Sequence, residues 1–469
     1  MSFTSRQKSN NLAKVVLVLV ILVIAGIGGF VGFSPMFEKN APKITVEKNI
    51  FWNLKNPIDI VIEDESNIKS YSVTFIDGNK RIPLVVNETK VGNQVQLSVV
   101  PPKFPRRYEP TTTSMEIKVT DDSKWNFFAG NESKVSANIT IDTKNPVANV
   151  ISNSYMIKQG GSATLVVEVK DENLKDAYVS FNNQEFFELI PFYKENYYMA
   201  LIAWPIDIDE FQRVSLVATD MANNETVTKI PYYIKSHPKK IDNINVSSKF
   251  INNVSKVVLE KSGYEVPGDD VQAFILSNKD LRKDNVETIK NVVRKYMDKG
   301  EVSSFNLDTF KQLRNGKTFA LYGERRHYFY DNNKIDEAWH LGIDWASVQK
   351  AKIFTTNQGK VIFNDYLGIY GNTIILDHRF GLATLYAHTT NSHVMLDDLV
   401  TDNQLIANTG STGAVFGDHL HFGVLVQGIE VNPLEWLDSN WIKLNVTNVL
   451  KNAKKVIDSK WNKEQLQNQ

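Results

Sequence analysis

The alternation of apolar and polar positions divides the chain into distinct textures. Val15 to Phe33 are nineteen consecutive positions without a charge, about 28 Å as a helix at ~1.5 Å per residue, which is enough to cross a bilayer. From about residue 40 to residue 235, short β-branched runs alternate with Asp, Asn and Gly punctuation, the pattern of antiparallel strands with one buried face. Between Leu276 and Lys299 the apolar positions Leu281, Val286, Ile289, Val292, Val293 and Met297 recur at mostly helical spacing, so one or two helices are expected there. Strands return in Lys360–Phe363, Asn372–Leu376, Ala383–Tyr386 and Leu420–Val426, set between glycine-rich turns. Beyond Trp441 a polar, Lys- and Asn-rich tail has weak helical character.

Two of these textures are copies of one another. Ile60-Val-Ile-Glu-Asp-Glu-Ser-Asn-Ile-Lys69, ending at Phe75, parallels Val167-Glu-Val-Lys-Asp-Glu-Asn-Leu-Lys175, ending at Phe181. About fifty residues later Ile117-Lys-Val-Thr-Asp121 parallels Leu216-Val-Ala-Thr-Asp220. A period of roughly one hundred residues suits one immunoglobulin-like β-sandwich per copy. The acidic turns at Asp64, Glu65, Asp171 and Glu172 are not read as calcium sites, because each turn lacks the six to eight oxygen ligands that Ca²⁺ takes.

Charge and composition exclude more than they identify. Acidic and basic residues balance at 53 each, which gives no bulk reason to bind nucleic acid or an anionic surface. No cysteine occurs, so neither a lipid-acylation site nor a disulfide framework is available. Arg6, Lys8 and Lys14 precede the apolar run, so the short N-terminus is expected in the cytoplasm and the bulk outside it. A cleavable signal peptide competes with an uncleaved anchor, but the run exceeds a usual signal core and no clean Ala-x-Ala site follows. The anchor is the favoured reading.

Histidine concentrates the chemistry. The chain has eight, and four of them fall in three short motifs within one hundred residues: His340-Leu-Gly-Ile-Asp344, Tyr386-Ala-His388 and His419-Leu-His421. In a strand, residues i and i+2 face the same way, so His419 and His421 can look into one cleft, and His340 and Asp344 can grip an ion from one side. Imidazole and carboxylate suit Zn²⁺, and a catalytic zinc site uses three protein ligands with a fourth position open. A lone His-x-His carries little weight; three clusters together carry much more.

The flanking residues turn this into a family resemblance. Gly323-Glu-Arg-Arg326, His340-Leu-Gly-Ile-Asp344, Gly371-Asn372, Leu385-Tyr-Ala-His388, Gly410-Ser-Thr-Gly413 and His419-Leu-His-Phe422 make the stretch from Leu321 to Trp436 resemble the lysostaphin-like zinc metallopeptidases, which cut peptide bonds in bacterial peptidoglycan. The resemblance implies one Zn²⁺ per chain held by His340, Asp344 and His421, with His388 and His419 as the catalytic non-ligand histidines. Bound zinc can lower the pKa of its water from about 15.7 toward about 7, and an adjacent imidazole suits general acid/base duty. The chain departs from the family between Asp397 and Asn408, where relatives place turn glycines, and at Gly423, where an acidic residue is common and the cleft rim is expected to change. His378 is read as structural or as support for the site, while His237, His327 and His393 are read as surface or loop residues. Arg325 and Arg326 offer bidentate recognition of a substrate carboxylate, or a solvated turn.

The expected architecture is mainly β. It comprises a cytoplasmic N-terminus (1–14), a transmembrane anchor (15–33), two immunoglobulin-like sandwiches (40–145 and 146–235), a linker and helical segment (236–315), an antiparallel, barrel-like peptidase domain with a groove (316–440) and a C-terminal extension (441–469). The helical segment would pack on the peptidase, or sit over the cleft and inhibit it. The sandwiches would act as spacers or bind a cell-wall protein partner or glycan. The function implied is a peptidoglycan endopeptidase for wall remodelling or cell shape, acting on stem peptides and cross-links. Its place would be the inner membrane facing the periplasm, or the cell surface of a Gram-positive source. The absence of a recognisable glycine-bridge-binding domain argues against glycine bridges. The alternative is a non-catalytic peptidoglycan-binding or hydrolase-activating module, whose kind usually lacks the metal ligands retained here.

Overall fold

The computed structural model describes residues 11–104, 113–238, 240–298, 300, 302 and 307–467, and its architecture is mainly β behind one long apolar helix. The chain forms two compact units. One extends to Asn145 and takes in Asp220–Asn224, and the other comprises Pro146–Thr219 and the chain from Glu225 onward.

In the first unit the apolar run is the helix Asn11–Phe33, none of it buried within the protein, as befits side chains suited to lipid. By length and composition it qualifies as a membrane span, a test that a signal sequence also passes. The strands that follow make a two-sheet sandwich. A three-stranded sheet pairs Ile58–Glu63 with Lys43–Thr45 and Gln94–Val99, and a five-stranded sheet is built around Ile68–Asp77, Thr113–Asp121 and Glu132–Ile141. Alternate residues point inward, so Trp52, Ile60, Ile62, Phe75 and Ile117 form one core. The second copy of the repeat, in the other unit, follows the same plan: Phe181 is buried as Phe75 is, and Asp220 ends its strand as Asp121 does.

The second unit joins more than the sequence divisions suggest. Its sandwich has two four-stranded sheets, one around Ser162–Lys170 and one around Leu174–Phe181 and Val214–Asp220. Beyond it, an eight-stranded sheet runs through Ile343–Ala346, Leu420–Val426, Leu382–Ala387, Gly371–Asp377 and Gly359–Leu367 in that spatial order. The strand Leu420–Val426 is buried throughout. One of its faces, carrying Leu420, Phe422, Val424 and Val426, shares a core with the sandwich residues Leu165, Phe187 and Met199. The other face carries His421, Gly423 and Leu425, and Leu425 packs beneath the helical segment with Ile289 and Val293. Gly423 therefore lies inside the sheet opposite Leu385 and not at a cleft rim, which corrects that expectation.

Helices cover the remaining apolar surface. The segment Ser248–Tyr296 is a chain of helices joined by two wider π-helical turns, starting well before the stretch whose periodicity was legible. The polar tail is a real helix, Asn448–Gln467; Val446, Val449, Leu450, Ala453 and Ile457 recur at helical spacing and are buried, with contacts to the strands Val147–Asn153 and Ser162–Lys170.

A buried carboxyl ties this unit together. Glu435 accepts hydrogen bonds from the Ser162 amide at 2.8 Å and its hydroxyl at 3.1 Å. Burial pushes its pKa up from 4.5 to about 7. The folded state therefore keeps a proton that the unfolded chain releases between those values, and stability falls as pH rises from 4.5 through about 7. Glu435→Gln keeps the acceptor and removes the titration. Thermal melts across this range are expected to show a shallower decline for the variant than for the parent; parallel curves would refute the assignment to Glu435.

Candidate metal centre

Strand register builds the site. Ile343–Ala346 pairs with Leu420–Val426 so that Asp344 stands directly opposite His421. On the other side His421 is opposite Ala387, the residue before His388. His340 precedes the first strand and is pinned by backbone bonds in both directions with the segment before it, His340 N–H to the Glu324 carbonyl and Gly323 N–H to the His340 carbonyl. His419 lies one strand repeat before His421.

Three donor atoms converge. His340 Nε2 is 3.0 Å from Asp344 Oδ1 and 3.2 Å from His421 Nδ1, and His421 Nδ1 is 2.9 Å from Asp344 Oδ1. The His340 ring is oriented from behind, where its Nδ1–H donates to the Leu321 carbonyl at 2.9 Å. That bond fixes the tautomer and leaves the Nε2 lone pair facing the centre. Burial works against a charged Asp344, yet the facing His340 and His421 hold its carboxyl well below the usual range. Burial lowers His421 to about 4, so its ring is neutral and able to donate a lone pair. Two imidazoles and one carboxylate fit Zn²⁺, with a side left open.

His388 and His419 stand beside this trio, with ring centroids 4.9 Å apart and His388 5.7 Å from His421. Each uses its Nδ1–H on a carbonyl, Thr412 for His388 at 2.9 Å and Gly417 for His419 at 2.8 Å. His388 holds φ at 61°, a left-handed conformation costly for a side chain and common at functional sites. Burial, with His419 and His421 close by, holds His388 well below its ordinary pKa, so its ring is neutral.

The other predicted residues separate clearly. Arg326 lines the cleft and donates to Asp344 Oδ2 at 3.1 Å, leaving Oδ1 toward the centre, and its buried Nε has no hydrogen-bond partner. Arg325, one residue earlier and so on the opposite face, pairs with Glu337 and lies over Trp339. His378 is buried away from the trio, bonded to the Gln358 carbonyl and the Thr384 hydroxyl at 2.7 Å each. His327 pairs with Glu337 at 3.3 Å, and His393 is exposed. His237 lies in a loop, half-buried against Tyr322 and over Gly323, where no Cβ fits.

A cleft of about 500 Å³ opens over the centre. Its floor is the histidine cluster, while Phe250, Ser255, Phe274, Ser277, Asn278 and Arg282 of the helical segment supply one wall. Phe250 stacks on Phe416 of the facing loop, with centroids 4.3 Å apart and planes at 24°. Behind His421, Tyr370 lies at 5.6 Å and donates its hydroxyl to the buried Glu430 at 2.8 Å. Sequence places the helical segment on the peptidase or over the cleft but singles out none of these wall residues, which belong to no recognised motif.

These features define a His–Asp–His cluster that could hold one metal ion, at the foot of a cleft on an antiparallel sheet. Residues 338–433, in the C-terminal part of the chain, match the model of Peptidase family M23. The chain is 31% identical over 134 residues to the DD-carboxypeptidase/endopeptidase Mpg of Neisseria meningitidis, which is 29% of each chain. It is 36% identical over 136 residues to the murein hydrolase activator NlpD of Escherichia coli, 29% of this chain and 33% of that one. The chain thus spans about a third or less of the length of these relatives. Among solved structures, the catalytic domain of lysostaphin from Staphylococcus simulans aligns over 27% of this chain and 96% of its own, with 26% identity and a TM-score of 0.24.

Gly342, inside the first motif, lies under His421: a Cβ there would stand 2.6 Å from its Cε1 and Nε2 and 2.7 Å from the Phe422 carbonyl. Gly342→Ala is expected to displace the His421 ring and weaken zinc binding by about tenfold or more, the scale of lost ligand orientation. Competition against a chromophoric chelator measures this, and parental affinity would reject the packing argument.

Proposed function

We propose that this chain is a zinc-dependent peptidoglycan endopeptidase, anchored by its N-terminal helix, that hydrolyses peptide cross-links of the DD type in the cell wall. The convergence of His340 Nε2, Asp344 Oδ1 and His421 Nδ1, with two further histidines alongside, is the observation that carries this reading. The relative named as a DD-carboxypeptidase/endopeptidase supports the choice of bond. Zinc, when bound by these three residues, would supply a Lewis acid and an activated water. His388, neutral and fixed through its Nδ1, offers Nε2 to take up a proton and return it to the leaving amine. His419 stands beside it, with ring centroids 4.9 Å apart, as the second non-ligand histidine of the cleft. The cleft wall from the helical segment excludes water and orients the stem peptide.

The likeness to a murein hydrolase activator favours a second reading, a non-catalytic activating module. Purified sacculi separate the two. The zinc-loaded protein is expected to convert cross-linked muropeptide dimers to monomers and His421→Ala to lose both zinc and cleavage. His388→Ala is expected to keep zinc while losing about 10²-fold or more in rate. Intact dimers after treatment with zinc-loaded protein, together with stimulation of a separate wall hydrolase, would replace the enzyme by the activator.

A further inference from the structure

The first sandwich presents a loop at the foot of the apolar helix that its own core does not explain. Past Phe33, Ser34 caps a short 3₁₀ turn, Pro35–Phe37. The loop between the strands Thr113–Asp121 and Glu132–Ile141 is tied to this turn: Lys124 N–H donates to the Met36 carbonyl and the Ser123 hydroxyl to the Glu38 carbonyl, both at 2.7 Å. Aromatic rings continue the connection. Phe30, in the last turn of the helix, lies 6.0 Å from Phe37, and Phe37 lies 6.4 Å from Phe128. The Lys39 ammonium stands 4.6 Å from the centre of the Trp125 ring.

At the loop apex Asn126, Phe127 and Phe128 hold φ at 48°, 55° and 69°, three successive left-handed residues, none of them glycine. Side chains disfavour this region. The strain does not turn the rings inward: Phe127 is 101% exposed and Phe128 68%, next to Met36 at 55%. In water such a loop is unfavourable twice over, in backbone conformation and in hydrated apolar surface.

We propose that the Trp125–Phe128 loop is a second membrane contact, with its rings seated in the interfacial layer of the bilayer that the helix crosses, so that the first sandwich is held against the membrane surface. The occupant follows from continuity: the loop is fastened to the chain within five residues of the end of the helix, where the headgroups begin. Aromatic rings favour that layer, and Lys39 and Lys124 beside them suit anionic headgroups. The proposal rests on the anchor reading given above.

The chain has no cysteine, so one introduced thiol is a unique reporter. Full-length protein in nanodiscs of phosphatidylethanolamine and phosphatidylglycerol would carry a nitroxide at Ala129→Cys, Val20→Cys or Asn79→Cys. Val20 lies within the helix. Asn79 follows Asp77, which pairs with Thr113 at the sheet end opposite Asp121, about 27 Å away at ~3.4 Å per residue. The ratio of oxygen to nickel-chelate accessibility at residue 129 is expected to fall between those two references, and Phe127→Ser with Phe128→Ser to shift it severalfold toward water. A lipid-like Val20 with a water-like residue 129 would overturn the loop contact and leave the anchor standing. A residue 129 shielded from both reagents alike would point to a protein cover and also overturn it. A water-like Val20 would remove the anchor, and the loop contact with it.

Discussion

Pairing of Ile343–Ala346 with Leu420–Val426 brings Asp344 and His421 face to face, and almost everything at the site depends on that register. A slip of one residue would send His421 to the other face of the sheet, into the space of Phe422, and remove one of the three donors from the centre. The register is held because the strand is buried on both sides. Phe422 stacks on Trp345 at 5.1 Å and packs edge-on against Tyr386, while Leu425 lies beneath the helical segment. Burying a large side chain of this kind contributes about 1.5–3 kcal/mol, so misregister would forfeit several such contributions at once. The polar centre is thereby stationed at the open end of an otherwise apolar face.

Burial on both faces also explains why the second sandwich, the helical segment and the tail fold with the peptidase sheet as one unit. Glu435 meets Ser162, Gln427 bonds the Glu188 backbone, and Lys290 pairs with Glu185 at 2.8 Å. Buried polar groups are costly unless partnered, and here the partners come from segments that the linear sequence keeps far apart. The second sandwich therefore shares one core with the eight-stranded sheet.

The metal trio was legible because His-x-His, His-x-x-x-Asp and Tyr-Ala-His are local spacings that register and turn geometry convert directly into convergence. The strands bearing them were legible for a related reason, since runs such as Leu420–Val426 are short, apolar and bounded by turns. The tail helix was underestimated: Val446, Val449, Leu450, Ala453 and Ile457 do repeat at helical spacing, but Lys and Asn dominate the intervening positions and dilute the signal. The start of the helical segment was missed because π-helical turns at Ile251–Ser255 and Leu276–Leu281 break the 3.6-residue period on which the reading depends. Arg325 and Arg326 looked equivalent in sequence; strand alternation gives only Arg326 to the cleft.

Floor and wall of the cleft have different origins, and this bears on specificity. The floor is made by motif residues within the stretch that matches Peptidase family M23. The wall comes from Phe250, Phe274, Ser277 and Arg282, which lie before the matched residues 338–433. A peptide in the cleft must fit between that wall and the loop bearing Phe416, and Phe250 already spans the gap by stacking on it. Arg326 adds a buried guanidinium at the junction of floor and wall, donating to Asp344 while its Nε has no partner. Under the proposed function, discrimination among peptides falls to residues outside the matched motif, because differences in binding arise where substrates differ and not where the scissile amide, common to all of them, is held.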